Sequence, residues 1–456
     1  AMGETTALDP ADPLVAIGVE TDSAGRVTKN SFGVLNLSWQ AARHPEWAGM
    51  IAAETAEIRR RIAESHGARL RFLIWAGMGG SIEDKSMYNA AGLIKRVRCY
   101  SLDSTDPAKL KSILADMGRR GETLADLLRS TLVVGMAMGM TSYEPVVNLE
   151  KLAALYERCG VDSRSNFVYM TLPGSLLDQF ASGRGYRKIE LQPDGANSTA
   201  GRHSGPLTRG SLYPLALGGA KLDQWIQGAA LDDEEIDLAW RLASFLEAQG
   251  AAGRDKITLL PPKSWAGAAL WTKQNFEESL GKSEKVGLKV VIHERIRLSN
   301  CRAPKESGQD RVFLAVQRKG EAHPDADKIT LLRRKGYPLA VLTLPAAAPL
   351  SRYMQFVHYV VCGLGYLRRM NFVTQPGVEL YKAITARVHA EAGEAGGVRQ
   401  TKAWRAMTGT SRRASWRGAV TLVFDSAGVE PDAAPADAPG IYASLVKKLG
   451  RRVEYA

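Results

Sequence analysis

The strongest constraint on this chain is an alternation. Short apolar runs, several of them ending at glycine or small residues, are separated by longer amphipathic stretches of helical period. In the first half, Leu70–Trp75, Val97–Ser101, Thr131–Gly135 and Phe167–Thr171 read as strands, with Lys109–Met117 and Leu149–Tyr156 as helical stretches between them. In the second half, Ile257–Leu260, Leu288–Ile292, Arg311–Val316 and Leu339–Leu344 repeat the pattern. Strands this far apart are joined by crossovers rather than hairpins, so they pair in parallel and need helices on both faces. The expected class is α/β, with mainly parallel sheets in a three-layer α-β-α arrangement.

The two sets of strands suggest two units of comparable size. Residues 1–45 read as a lead-in, 46–228 as the first unit with a connecting segment, 229–393 as the second, and 394–456 as an extension. Asp232 with Glu235 has the form of a capping box that opens a helix, and Gly250 is a candidate to end it. Glu379–Ala390 reads as a late helix, Ala419–Phe424 as a strand and Tyr442–Leu449 as a final helix.

Composition narrows the function classes. With 456 residues and 45% apolar content the chain can bury a large core. It has no run of about 18 apolar residues, which argues against a membrane-spanning helix. Residues 1–13 lack the charged-then-apolar pattern of a secretory signal, and Cys99, Cys159, Cys301 and Cys362 are scattered, without a CxxC pair. Reduced thiols, a cytoplasmic location and no structural zinc are the expectation. The net charge of +12 suits an anionic ligand. Between Arg399 and Arg417, basic residues interleave with Trp404 and Trp416, as in some nucleic-acid-binding segments, but no recognised nucleic-acid module surrounds them.

Several loops carry candidate chemistry. Gly77-Met78-Gly79-Gly80-Ser81 follows a strand directly; a helix starting at Ser81 would aim free N–H groups at an anion. Its spacing fits neither a dinucleotide fingerprint nor a Walker loop. Thr141 and Ser142 follow another strand, and suit either phosphate contacts or helix caps. Arg202, after Gly201, can stabilise developing negative charge. Gln274 and the Glu277-Glu278-Ser279-Leu280-Gly281-Lys282 segment offer a carboxylate at a helix end as a general base. Gln375-Pro376-Gly377-Val378-Glu379-Leu380-Tyr381-Lys382 opens a helix with proline at its first position and places Lys382 about two turns in. Each motif alone is matched by an ordinary structural use.

Their order is more informative. Glycine loop, hydroxyl loop, Gly-Arg, Glu-Ser-x-Gly-Lys and Gln-x-Gly-Val-Glu-Leu-x-Lys occur in the sequence in which the phosphoglucose isomerase family carries them, and the likeness covers roughly residues 65–392. Leu102–Pro107 and Asp310–Phe313 resemble most the isomerase domain of bifunctional transaldolase/isomerase proteins. The resemblance implies two sugar-isomerase (SIS) domains, a homodimer, no metal or organic cofactor, and interconversion of glucose 6-phosphate and fructose 6-phosphate. It implies Glu278 as the base, Arg202 as the group stabilising the enediolate, and Gly80, Ser81, Thr141 and Ser142 at the phosphate. Gln274 would line the pocket, and Gln375 and Lys382 would contact the sugar, with Lys382 helping to open the ring.

Two departures stand out. The family's hydroxyl loop reads Ser-Lys-Thr where this chain has Ala137, Met138 and Gly139, which removes two hydroxyls and a basic side chain. Each lost hydrogen bond to a charged group is worth about 1.5–3 kcal/mol. The family's ring-opening histidine follows Gly-Gln, whereas Gly308-Gln309 is followed here by Asp310. His293, His323 and His358 are other candidates for that role. The competing readings are an isomerase of a differently substituted sugar and a sugar-phosphate-binding protein without turnover.

Overall fold

The computed structural model describes residues 19–21, 27–30, 33–119, 121–195, 205–283, 286–370, 372, 376–402, 404–405, 411–416 and 420–425. Arg202, Gln375 and the expected helix Tyr442–Leu449 lie outside them. The described chain divides into two compact units, with the division between Pro376 and Gly377.

The first unit opens with a small antiparallel pair, β1 (Val19–Thr21) and β2 (Val27–Asn30), followed by α1 (Gly33–Ala41) and α2 (Trp47–His66). The first large sheet is then laid down: β3 (Phe72–Ala76), α3 (Glu83–Ala90), β4 (Arg98–Leu102), α4 (Pro107–Met117), α5 (Leu124–Arg129), β5 (Thr131–Ala137), α6 (Glu144–Arg158), β6 (Phe167–Thr171), α7 (Leu176–Gly183) and β7 (Arg187–Lys188). Its order is β4-β3-β5-β6-β7, parallel throughout. Three helices follow: α8 (Arg209–Gly218), α9 (Leu222–Gly228) and α10 (Asp233–Ala251). The second sheet is built from β8 (Lys256–Leu260), α11 (Ala268–Leu280), β9 (Lys289–Val291), β10 (Arg311–Arg318), α12 (Ala326–Lys335) and β11 (Leu339–Leu344), in the parallel order β11-β10-β8-β9. Helix α13 (Leu350–Leu367) closes the succession. The parallel α/β class expected from the alternation is present.

Strand periodicity explains the layering, because successive side chains point to opposite faces. Leu73, Trp75, Val134 and Met136 face one apolar core, while Phe72, Ile74, Val133 and Ala137 face another. In the second sheet Val312, Leu314 and Val316 reach the same shared core as Leu73 and Trp75, and Phe313 and Ala315 face a third. The two sheets therefore share one core, filled by α1, α2, α8–α11 and α13, and each has a separate outer core. No helix among the described residues is long and apolar enough to cross a membrane.

Local signals fixed several boundaries and misplaced others. The capping box of Asp232 and Glu235 opens α10 as expected. Gly250 does not end that helix; it runs to Ala251, and the reversal comes at Gly253, whose φ of +81° is left-handed. Helix α14 (Pro376–Ala395) starts at the expected proline and lies, beyond its first residue, in the second compact unit. That unit also contains the antiparallel pair β12 (Ser411–Trp416) and β13 (Val420–Asp425). The basic segment noted above thus includes a strand.

Candidate active site

The Gly77–Ser81 loop leaves the C-terminal end of β3, the edge at which ligands bind in open parallel sheets. It does not lead straight into a helix. Gly79–Ser81 forms a single 3-10 turn, Ile82 departs from helical geometry (φ −138°), and α3 begins only at Glu83. The first turn of α3 carries Glu83 and Asp84, so acidic side chains already occupy its positive end. The expected helix start at Ser81 is therefore corrected by two residues.

Gly79 explains why this loop needs glycine. Its φ is +53°, and a Cβ there would lie 3.1 Å from Nε2 of Gln274 and 3.8 Å from both carboxylate oxygens of Glu278. The loop backbone thus lies directly against side chains from α11, contributed by the second sheet. The approach extends along the helices: a Cβ on Gly267, just before α11, would come within 2.6 Å of the Ala90 Cβ at the end of α3.

Helix geometry separates the two adjacent carboxylates. Successive residues on a helix point about 100° apart. Glu277 turns toward β9: its Oε1 accepts from Lys273 at 2.5 Å and from the Val290 N–H at 2.9 Å, and lies 3.3 Å from Lys289 Nζ. Glu278 turns the other way, toward the glycine loop, and Oε2 accepts a 3.0 Å hydrogen bond from Gln274 one turn earlier. Gln274 is thereby placed to orient the carboxylate. Lys282, just past the end of α11, feels the Glu278 charge; burial pushes its pKa down to about 8, while that carboxylate acts in the opposite direction. Lys282 belongs to the Glu-Ser-x-Gly-Lys motif, yet spacing alone gave it no role.

The other expected residues are distributed as follows. Gly80 and Ser81 are buried in the loop. Thr141 is exposed and Ser142 half-buried in the turn after β5, the strand beside β3. Neither hydroxyl caps α6, whose N-cap position is Tyr143 without a side-chain cap. Among the described residues, the hydroxyls of Ser81, Thr141 and Ser142 make no hydrogen bond within the protein. Ala137 and Met138, which stand where the family carries polar side chains, are 2% and 6% exposed and pack into the cores. Asp310 lies at the start of β10, where its carboxylate is 2.9 Å from Lys256 Nζ and 3.7 Å from the Arg311 guanidinium. His323 accepts from the Asp325 N–H at 3.0 Å, and its other ring nitrogen faces the Leu260 carbonyl at 3.3 Å. Lys382 is half-buried on α14 in the second unit. No group of three or more side chains suited to a metal ion occurs among the described residues.

No protein-family model matches the chain. Glucose-6-phosphate isomerase of Thermosynechococcus vestitus is 25% identical over 398 residues, which span 76% of this chain and 72% of that protein. The protein of the same name from a Synechococcus strain is 28% identical over 236 residues, 49% of this chain and 42% of the relative, so less than half of that relative is matched. Neither name includes a transaldolase. The crystal structure of a glucose-6-phosphate isomerase from Chlamydia trachomatis superimposes with a TM-score of 0.60 at 17% identity, covering 86% of this chain and 83% of that one; this likeness is one of fold. In sequence the chain is thus similar to glucose-6-phosphate isomerases at 25–28% identity, and in fold it shares their parallel α/β architecture.

Proposed function

We propose that this chain interconverts glucose 6-phosphate and fructose 6-phosphate, with Glu278 as the base. The observation that carries the reading is the Glu278 carboxylate held by Gln274 against the glycine loop. In the open-chain aldose, Glu278 takes the proton from C2, and the electrons of that bond form the enediolate across C1 and C2. The proton on O2 passes to O1, and return of the carbon-bound proton from Glu278 to C1 then gives the ketose, with the C1 hydroxyl formed and the C2 carbonyl in place of the C2 hydroxyl. The hydroxyls of Ser81, Thr141 and Ser142, at neighbouring strand ends, are available to a phosphate, with the Gly80 backbone beside them. For Arg202, Gln375 and Lys382 the proposal rests on motif order alone, as do the homodimer, the cytoplasmic location and the two SIS-type halves at 46–228 and 229–393. Asp310 is proposed at the sugar only through its position after Gly308-Gln309. Fructose 6-phosphate incubated with the protein in heavy water should yield glucose 6-phosphate carrying deuterium at C2. Absence of both interconversion and exchange would reject the reading.

A second reading is favoured by the burial of Ala137 and Met138, which leaves the hydroxyl loop without the family's polar side chains. The substrate would then be an aldose with a different group at C6. Highest turnover on glucose 6-phosphate in a panel of sugars rejects it.

The position of Lys282 makes the rate sensitive to pH. Its ammonium lies near the base and is protonated below about 8. The cationic form offsets the negative charge that the enediolate adds beside Glu278. The kcat/KM is expected to fall as pH rises through about 8. In Lys282→Arg the falling limb should move out of range, because arginine keeps its charge to above ~12. In Lys282→Met the rate should lie near the parent's high-pH level at every pH and lack this limb. A limb unchanged in Lys282→Met would show that another group titrates.

A further inference from the structure

At the opposite edge of the first sheet, where β3 and β4 begin, lies a recess of about 330 Å³. Arg69, Arg71, Lys95, Arg96, Arg98 and Arg119 all contribute to its wall, against Glu122 as the wall's single acidic residue. The excess is local: the whole chain has 60 basic and 48 acidic residues. Arg71 is paired with Glu122, and Asp116 is shared by Arg98 at 3.4 Å and Arg119 at 2.6 Å. Among the described residues Arg69, Lys95 and Arg96 form no ion pair.

The backbone beneath two of these cations is fixed, and so is one side chain. The N–H groups of Lys95 and Arg96 both donate to the Gly218 carbonyl, at 2.9 and 3.0 Å. The Arg96 side chain lies flat on Gly219, where a Cβ would come within 2.6 Å of its Nε. Behind the recess, Arg59 donates to the Leu217 carbonyl at 2.6 Å; burial and the neighbouring charges of Arg69 and Arg96 push its pKa below the ordinary arginine value. Like charges gathered this closely repel one another unless an anion joins them.

We propose that this recess binds a small molecule bearing two or more adjacent phosphate groups. Forked guanidinium donors converging from two strand ends match the oxygens of a phosphate chain. The recess has the volume of a small-molecule site. Its aromatic side chain, Phe72, is only 6% exposed and lies 4.9 Å beneath the Arg71 guanidinium, which leaves no platform for stacked bases of a nucleic acid. The site is separated from the glycine loop by the length of β3, roughly 15 Å, and does not rest on the isomerase reading.

Calorimetric titration of the purified full chain with inorganic tripolyphosphate and with ATP tests this. Binding is expected in the parent, weaker at higher salt, and unchanged in Ser81→Ala. In the triple variant Arg69→Ser/Lys95→Ser/Arg96→Ser, whose side chains are exposed and whose fold is checked by circular dichroism, affinity should drop by about tenfold or more per lost charged contact. Equal affinity for the two probes identifies the phosphate chain as the recognised group, and tighter ATP binding adds the nucleoside. No binding in the parent, equal binding in the triple variant, or a DNA oligonucleotide that binds more tightly than tripolyphosphate would overturn the proposal.

Discussion

Glu278→Gln is expected to lower kcat on glucose 6-phosphate by about 10²–10⁴-fold, the usual contribution of a positioned general base, with little change in KM. The amide is close to isosteric, and its oxygen can still accept the hydrogen bond that Gln274 donates at 3.0 Å. The loop contact at Gly79 should therefore persist, while the group that takes the proton is gone. Glu277→Gln is the matched control. Glu277 holds Lys273, Lys289 and the Val290 N–H rather than facing the loop, so its loss should lower stability slightly and leave kcat near the parent's. Steady-state kinetics on both variants, with thermal unfolding to confirm folding, decides the matter. A Glu278→Gln enzyme as fast as the parent, or a Glu277→Gln enzyme as slow as expected for Glu278→Gln, would sink the assignment.

That contrast also shows where sequence reading succeeds and stops. The strands were legible because each is a short apolar run bounded by polar or small residues, and β6 and β11 fall where the runs predict. Helix α13 gave no such signal. Nearly all of its side chains are buried, so it reads as a long apolar stretch, which periodicity alone does not tell from buried strand segments. The helix start at Ser81 failed for a different reason: the left-handed backbone at Gly79 and the departure at Ile82 depend on how α11 presses against the loop, a contact between residues distant in the chain. The same holds for Glu278. Motif order singled it out, but two adjacent glutamates look alike in sequence. Only the packing of α11 between β9 and the glycine loop separates the one that locks the fold from the one that faces the loop. The pairing of Asp310 with Lys256 is likewise a long-range fact that spacing does not encode, and so is the burial that lowers the Lys282 pKa.

The loop that faces Glu278 rests on a buried ion pair, and breaking it should have the largest effect on stability. Lys85 Nζ lies 2.7 Å from Asp84 Oδ1, with the two side chains 1% and 0% exposed. The same ammonium donates to the Ser81 carbonyl at 3.1 Å and sits 4.4 Å from the Trp75 ring centroid. Asp84 also accepts from the Ser211 hydroxyl at 2.9 Å. Lys85→Met fills similar volume but strands a carboxylate in an apolar core, a change that typically costs about 3–5 kcal/mol. Burial already pushes the Asp84 pKa upward. Without Lys85 the carboxyl binds a proton more tightly in the folded than in the unfolded chain. The variant's deficit should therefore be largest at neutral pH and above, and should shrink as pH falls toward the raised folded value. Adding Asp84→Asn to Lys85→Met removes the charge and should recover part of the loss at neutral pH. Denaturant unfolding with an unchanged m-value measures each step. A deficit of less than about 1 kcal/mol, the scale of a solvent-exposed pair, would mean that water reaches Asp84. In that case Lys85 could not be what holds the Ser81 carbonyl, and with it the glycine loop, in place.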